Sequence, residues 1–148
     1  MKKFLKCIYL CLALLLVSCS TAFYDHYSYT ETLETKVQIN SLIRQSVNPY
    51  SENIQQVENF KGQLEKMISY EKVKGKNEIT VNMWEFVNND KNSIHKFFQL
   101  WKEQETLSLA FTEEFSISIN AIFDKMIDYE TKKDAASETA LTTLINSL

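Results

Sequence analysis

Two histidines, three cysteines and a few neighbouring carboxylates are the side chains in this 148-residue chain that invite a chemical reading. The histidines stand at His26 and His95. A di-metal carboxylate bundle needs a Glu-x-x-His step on each of two helices. Three residues before His26 stands Phe23, and three before His95 stands Asn92, so both steps are missing. Zinc asks for nitrogen or sulfur ligands in number, which the body of the chain scarcely has. Neither Gly-x-Ser-x-Gly nor a phosphate-cradling glycine loop occurs. Glu113 with Glu114, and Glu103 with Glu105, are close in sequence. Paired catalytic acids, however, usually come from separate elements. His95, beside Ile94, Phe97 and Phe98, reads as a boundary residue. The residues therefore predict neither an enzyme nor a metal or cofactor site.

One spacing carries specific chemistry. Lys2, Lys3 and Lys6 precede an apolar run from Cys7 to Val17, which ends in Leu16-Val17-Ser18-Cys19. Eleven apolar residues rise about 16 Å as a helix, roughly half the hydrocarbon thickness of a bilayer, too short for a stable span. Ordinary secretory leaders end with small residues at −1 and −3. Ser18 suits −1, but Leu16 does not suit −3. The pattern resembles the lipobox of bacterial lipoproteins. That resemblance implies cleavage between Ser18 and Cys19, a diacylglycerol thioether on Cys19, and often an acyl group on the new amine. The only cofactor-like group expected is thus covalent lipid. Each buried methylene contributes about 0.8 kcal/mol, so two or three chains hold firmly to a membrane.

The same resemblance divides the chain into a signal peptide at 1–18, a lipidated tether at 19–27, a helical domain at 28–133 and a tail at 134–148. Cys7 and Cys11 would leave with the leader and Cys19 would carry lipid, so the body keeps no thiol for a disulfide or a metal. The whole chain has a net charge of −3, and loss of the leader lysines makes the body more acidic still. Arg44 is the only arginine. A nucleic-acid partner wants a basic face and bidentate arginines, so none is expected. Lys72-Val73-Lys74-Gly75-Lys76 reads as a helix C-terminus and solvated turn. Ser20 after the cysteine, rather than Asp, resembles lipoproteins sent to the outer membrane, facing the periplasm.

Two glycines and one proline are too few for a sheet-rich domain, and the spacing predicts an all-α bundle of three long helices plus one or two short ones. A first helix is expected from about Ser28 to Ser46, with Leu33, Val37, Ile39, Leu42, Ile43 and Val47 as its apolar stripe. Pro49 breaks it and Ser51 caps a second helix, which runs to Lys74 before Gly75. A short helix capped by Thr80 carries Met83, Trp84 and Val87. Another runs from about Ser93 to Glu105. Thr112-Glu113-Glu114 opens the last long helix, with acids at its positive end. From Asp134 on, a frayed tail and one further amphipathic helix both fit, and no internal repeat is read.

Three aromatic groups stand out. Phe23 and Tyr24, close behind Cys19, are candidates for membrane-interface contact, where rings with one wet end belong. Tyr29 reads as core. Trp84 is a partner anchor if exposed and core if not. The function expected is a lipid-anchored envelope protein, an interaction or accessory subunit docking onto a membrane complex. A related form is protective, of immunity or exclusion type. The alternative is a lipid- or ligand-binding bundle with a cavity lined by Phe97, Phe98, Phe115, Ile119 or Phe123.

Overall fold

The computed structural model describes residues 23–89 and 93–147; the leader, Ser18 and Cys19 lie outside them. The described chain is all helical: α1 (His26–Gln45), α2 (Ile54–Lys72), α3 (Glu78–Val87), α4 (Ser93–Gln104), α5 (Leu109–Lys132) and α6 (Ala135–Ser147). A 3-10 turn at Tyr50–Glu52 joins α1 to α2.

Helices α1 and α5 start where a side chain satisfies a free backbone amide. Asp25 caps α1 by accepting the Tyr27 amide, so that helix opens before Ser28. Ser108 caps α5 by accepting the Phe111 amide, so that helix opens before Thr112. Neither Ser51 nor Thr80 caps a helix: Asn53 precedes α2 and Asn77 precedes α3. Lys76, Glu105 and Lys133 adopt the left-handed backbone conformation at three turns. Gly75, the expected helix stop, has no positive φ; its neighbour Lys76 makes the turn.

The inner face of α1 differs from the expected apolar stripe. It runs through Ser28, Thr32, Thr35, Ile39, Leu42, Ile43 and Ser46, while Val37 and Val47 face solvent. Burying hydroxyls is tolerable because each finds an acceptor. Thr32 donates to the Ser28 carbonyl and Thr35 to that of Glu31, both at 2.7 Å.

Helix α1 packs against both α2 and α5, α3 lies on α2, and α6 folds back on α5 and α3. Residues 135–147 are therefore part of the bundle rather than a frayed tail: Leu141 is buried, with Leu144 and Ile145 packed on the core. Contacts from Lys36 to Asp124 and from Asn40 to Asn120 show that α1 and α5 run antiparallel. The N-terminus of α1 thus lies at the same end as the C-termini of α2 and α5.

Candidate functional site at the tether end

That end of the bundle holds most of the unusual chemistry. The buried stripe of α2 runs Val57, Phe60, Leu64, Met67 and then Glu71. The stripe of α5 runs Ile119, Ile122, Phe123, Met126 and then Glu130. Each stripe ends in an acid with no solvent exposure. An isolated buried carboxylate is expensive, so each needs partners. Both have a lysine three residues on, one helical turn away. Lys74 pairs with Glu71 at 2.5 Å, and Lys133 with Glu130 at 2.7 Å.

The two turns share a sequence. Lys66-Met67-Ile68-Ser69-Tyr70-Glu71-Lys72-Val73-Lys74 and Lys125-Met126-Ile127-Asp128-Tyr129-Glu130-Thr131-Lys132-Lys133 agree at Lys, Met, Ile, Tyr, Glu and the final Lys. In both copies the final Lys pairs with the Glu and lies over the Tyr ring. Lys74 lies 4.5 Å from the centre of the Tyr70 ring, and Lys133 4.4 Å from that of Tyr129. A lysine over an aromatic face gains further electrostatic stabilisation. The expectation of no internal repeat is corrected here: a nine-residue segment recurs with six identities, one copy at the C-terminal end of α2 and one at that of α5.

Each pair recruits different neighbours. Asp25, the cap of α1, accepts from Lys74 at 2.8 Å and from the Tyr70 hydroxyl at 2.9 Å. Ser28 and Asn77 both donate to the Glu71 carboxylate. Burial pushes the Asp25 carboxyl up, but hydrogen bonds from Lys74 and Tyr70, the Lys74 charge and the Tyr27 amide outweigh it. The Asp25 carboxyl is therefore held well below the ordinary carboxylate range. On the other side, Thr80 donates to Glu130 at 2.9 Å, and Lys133 donates to Thr80 at 3.0 Å. One Glu130 oxygen, Oε2, has no partner. Burial pushes the Glu130 carboxyl up, against the Lys133 charge and the bonds from Lys133 and Thr80. Burial also drives the Tyr129 hydroxyl up to about 12, helped by the charges of Glu138, Glu130 and Glu78.

Chemically, this cluster is a clamp. Its acids are already countered by ammonium groups, and it ties the first turn of α1 to the last turn of α2 and to the start of α3. Among the described residues, no group of three or more His, Cys, Asp or Glu is placed to hold a metal ion. None of the described helices is long and apolar enough to cross a membrane.

Beside the clamp lie the two candidate interface residues. Phe23 is 93 % exposed and Tyr24 54 % exposed. The Tyr24 hydroxyl sits 3.1 Å from His26 Nδ1, and the Tyr24, His26 and Tyr29 rings cluster with centroids 6.3–6.5 Å apart. Tyr29 is half-buried in this group rather than in the core.

Trp84 is fully buried. Its ring meets Phe123 edge-on at 6.5 Å, so it is core and not a partner anchor. Phe97 stacks on Phe115 at 4.3 Å and lies 5.9 Å from Phe98, with Trp101 and Phe111 completing the layer. These rings pack on one another, and Ile119 and Phe123 are fully buried. Glu113, Glu114, Glu103 and Glu105 are exposed. The lysine-rich turn is not simply solvated: Lys74 enters the clamp, and Lys72 pairs with Glu85 at 2.7 Å.

Sequence reasoning missed Glu71 and Glu130. The signal was present, because each continues an apolar stripe in register, where an exposed acid has no place. Comparison with known protein families, with curated proteins and with solved structures found no match to this chain.

Proposed function

We propose that this chain is a lipid-anchored, non-catalytic interaction module of the bacterial envelope, held to a membrane through Cys19 and docking onto a protein complex at that membrane. The observation that carries the reading is Leu16-Val17-Ser18-Cys19 at the end of a short apolar run, only six residues before the cap of the first helix. Six extended residues span at most about 21 Å, so a body anchored there stays close to the bilayer. Exposed Phe23 and Tyr24 lie on that short link, where aromatic rings suit the lipid–water interface. The packed aromatic layer around Phe97 supports an interaction module over a carrier of lipid or another small ligand. The outer membrane, periplasm-facing, is the location this reading favours in a cell with two membranes.

The test is metabolic labelling with palmitate in a bacterial host. The wild-type chain should take up label and be cut before Cys19, and Cys19→Ala should abolish both. Equal labelling and processing of the two would refute the anchor.

A further inference from the structure

At the other end of α1, a groove of about 630 Å³ runs between α1 and α5. Ile43 is buried beneath it, while Val47, Leu109 and Ile117 stand open to solvent, the last two 65 % and 73 % exposed. Scattered exposed apolar residues need no explanation, but several gathered along one groove mark a contact surface. The walls carry opposite charges. Arg44, the only arginine in the chain, stands on the α1 wall and Glu113 on the α5 wall. Each is exposed, and neither side chain makes an ion pair or hydrogen bond with any described residue.

We infer that this groove is occupied by the same groove of a second copy of the chain. A two-fold interface must be self-complementary, with each patch offering what it also needs. Base on one wall and acid on the other meet that condition. With the two-fold axis running along α1 and α5, each α1 faces the other copy's α5. Arg44 then meets the partner's Glu113 twice, around a shared apolar centre. An axis in that direction also leaves both tethers at the same end, so two anchored copies can sit in one membrane. The charge pairs set register and exclude wrong orientations, while the apolar side chains supply the burial. The inference does not depend on lipid at Cys19, because it rests on the far end of the bundle.

The test is oxidative cross-linking of the full chain in intact expressing cells. Ile117→Cys places an exposed thiol on the α5 wall of the groove, and Val73→Cys, an exposed residue at the opposite end of the bundle, is the collision control. Wild type reports any cross-linking by the leader cysteines or by Cys19 if it is not lipidated, which separates failure of the anchor from failure of the interface. The Ile117→Cys chain should give a disulfide-linked dimer that wild type and Val73→Cys do not. Adding Arg44→Glu or Glu113→Arg should each cut that dimer roughly tenfold or more, since like charges now face one another. Co-expressing the Arg44→Glu and Glu113→Arg chains, each with Ile117→Cys and a different tag, should restore a mixed dimer, because both crossed pairs become opposite in sign. Absence of the Ile117→Cys dimer, or a dimer indifferent to the charge reversals, would overturn the inference.

Discussion

At the scale of single residues, the pairings at the tether end determine how stability responds to pH. Asp25 is held below its ordinary value. Glu31 is too: burial raises it, but hydrogen bonds from Lys66, Gln63 and Tyr27 and the Lys66 charge prevail. A depressed acid contributes stability that is present above its unfolded value and is lost as pH falls through the folded one. Glu130, held up by burial, works in the opposite sense, withdrawing stability as pH rises past its unfolded value. Asp25→Asn keeps a good helix cap but removes the charge that faces Lys74. It should lower stability at pH 7 by about 1.5–3 kcal/mol, the usual worth of a hydrogen bond to a charged group. It should also flatten the fall in stability below about pH 4, read by urea unfolding between pH 7 and pH 2. The second pair has its own signature. Lys133→Met strands Glu130 and should cost about 3–5 kcal/mol, whereas Glu130→Leu combined with Lys133→Met should cost much less. A single and a double variant of equal stability would show that the pair does not matter.

Helix class was legible because apolar spacing and scarce glycine leave few other folds for this chain. Boundaries were not. Sequence alone makes Ser51 and Thr80 caps and opens a helix at Thr112, yet the helices begin after Asn53, Asn77 and Ser108. Propensity cannot say which residue is free to cap when another contact claims it: Thr80 is committed to Glu130. The inner face of α1 was misread for a similar reason. Ser28 and Thr32 are core because the clamp and the helix carbonyls satisfy their hydroxyls, which no hydropathy pattern records. Helix α6 was undecided since a short segment is marginal alone, and it is the packing of Leu141, Leu144 and Ile145 that stabilises it. The observed cap of α5 makes a direct prediction. Ser108→Ala should lower stability by about 1 kcal/mol in chemical denaturation, and Thr112, the sequence-predicted start, should show no capping effect.

For the whole molecule, the two ends of one bundle divide the work. At one end, Asp25 ties the first turn of α1 into the body, so under the proposed anchoring a pull at Cys19 would reach the bundle core. The far end presents the open apolar groove with its crossed charges. The lipobox resemblance was readable because it depends on local spacing alone. Clamp and groove were not, because they join residues from helices distant in sequence, and only the antiparallel arrangement of α1 and α5 brings them together. The claim on which the functional account rests is that Cys19 is the first residue of the mature chain and carries lipid. Intact-mass spectrometry of the protein extracted from bacterial membranes in detergent measures both properties together. The account predicts a chain beginning at Cys19 with covalent diacylglycerol on that residue. An unmodified Cys19, or a chain beginning elsewhere, would contradict it.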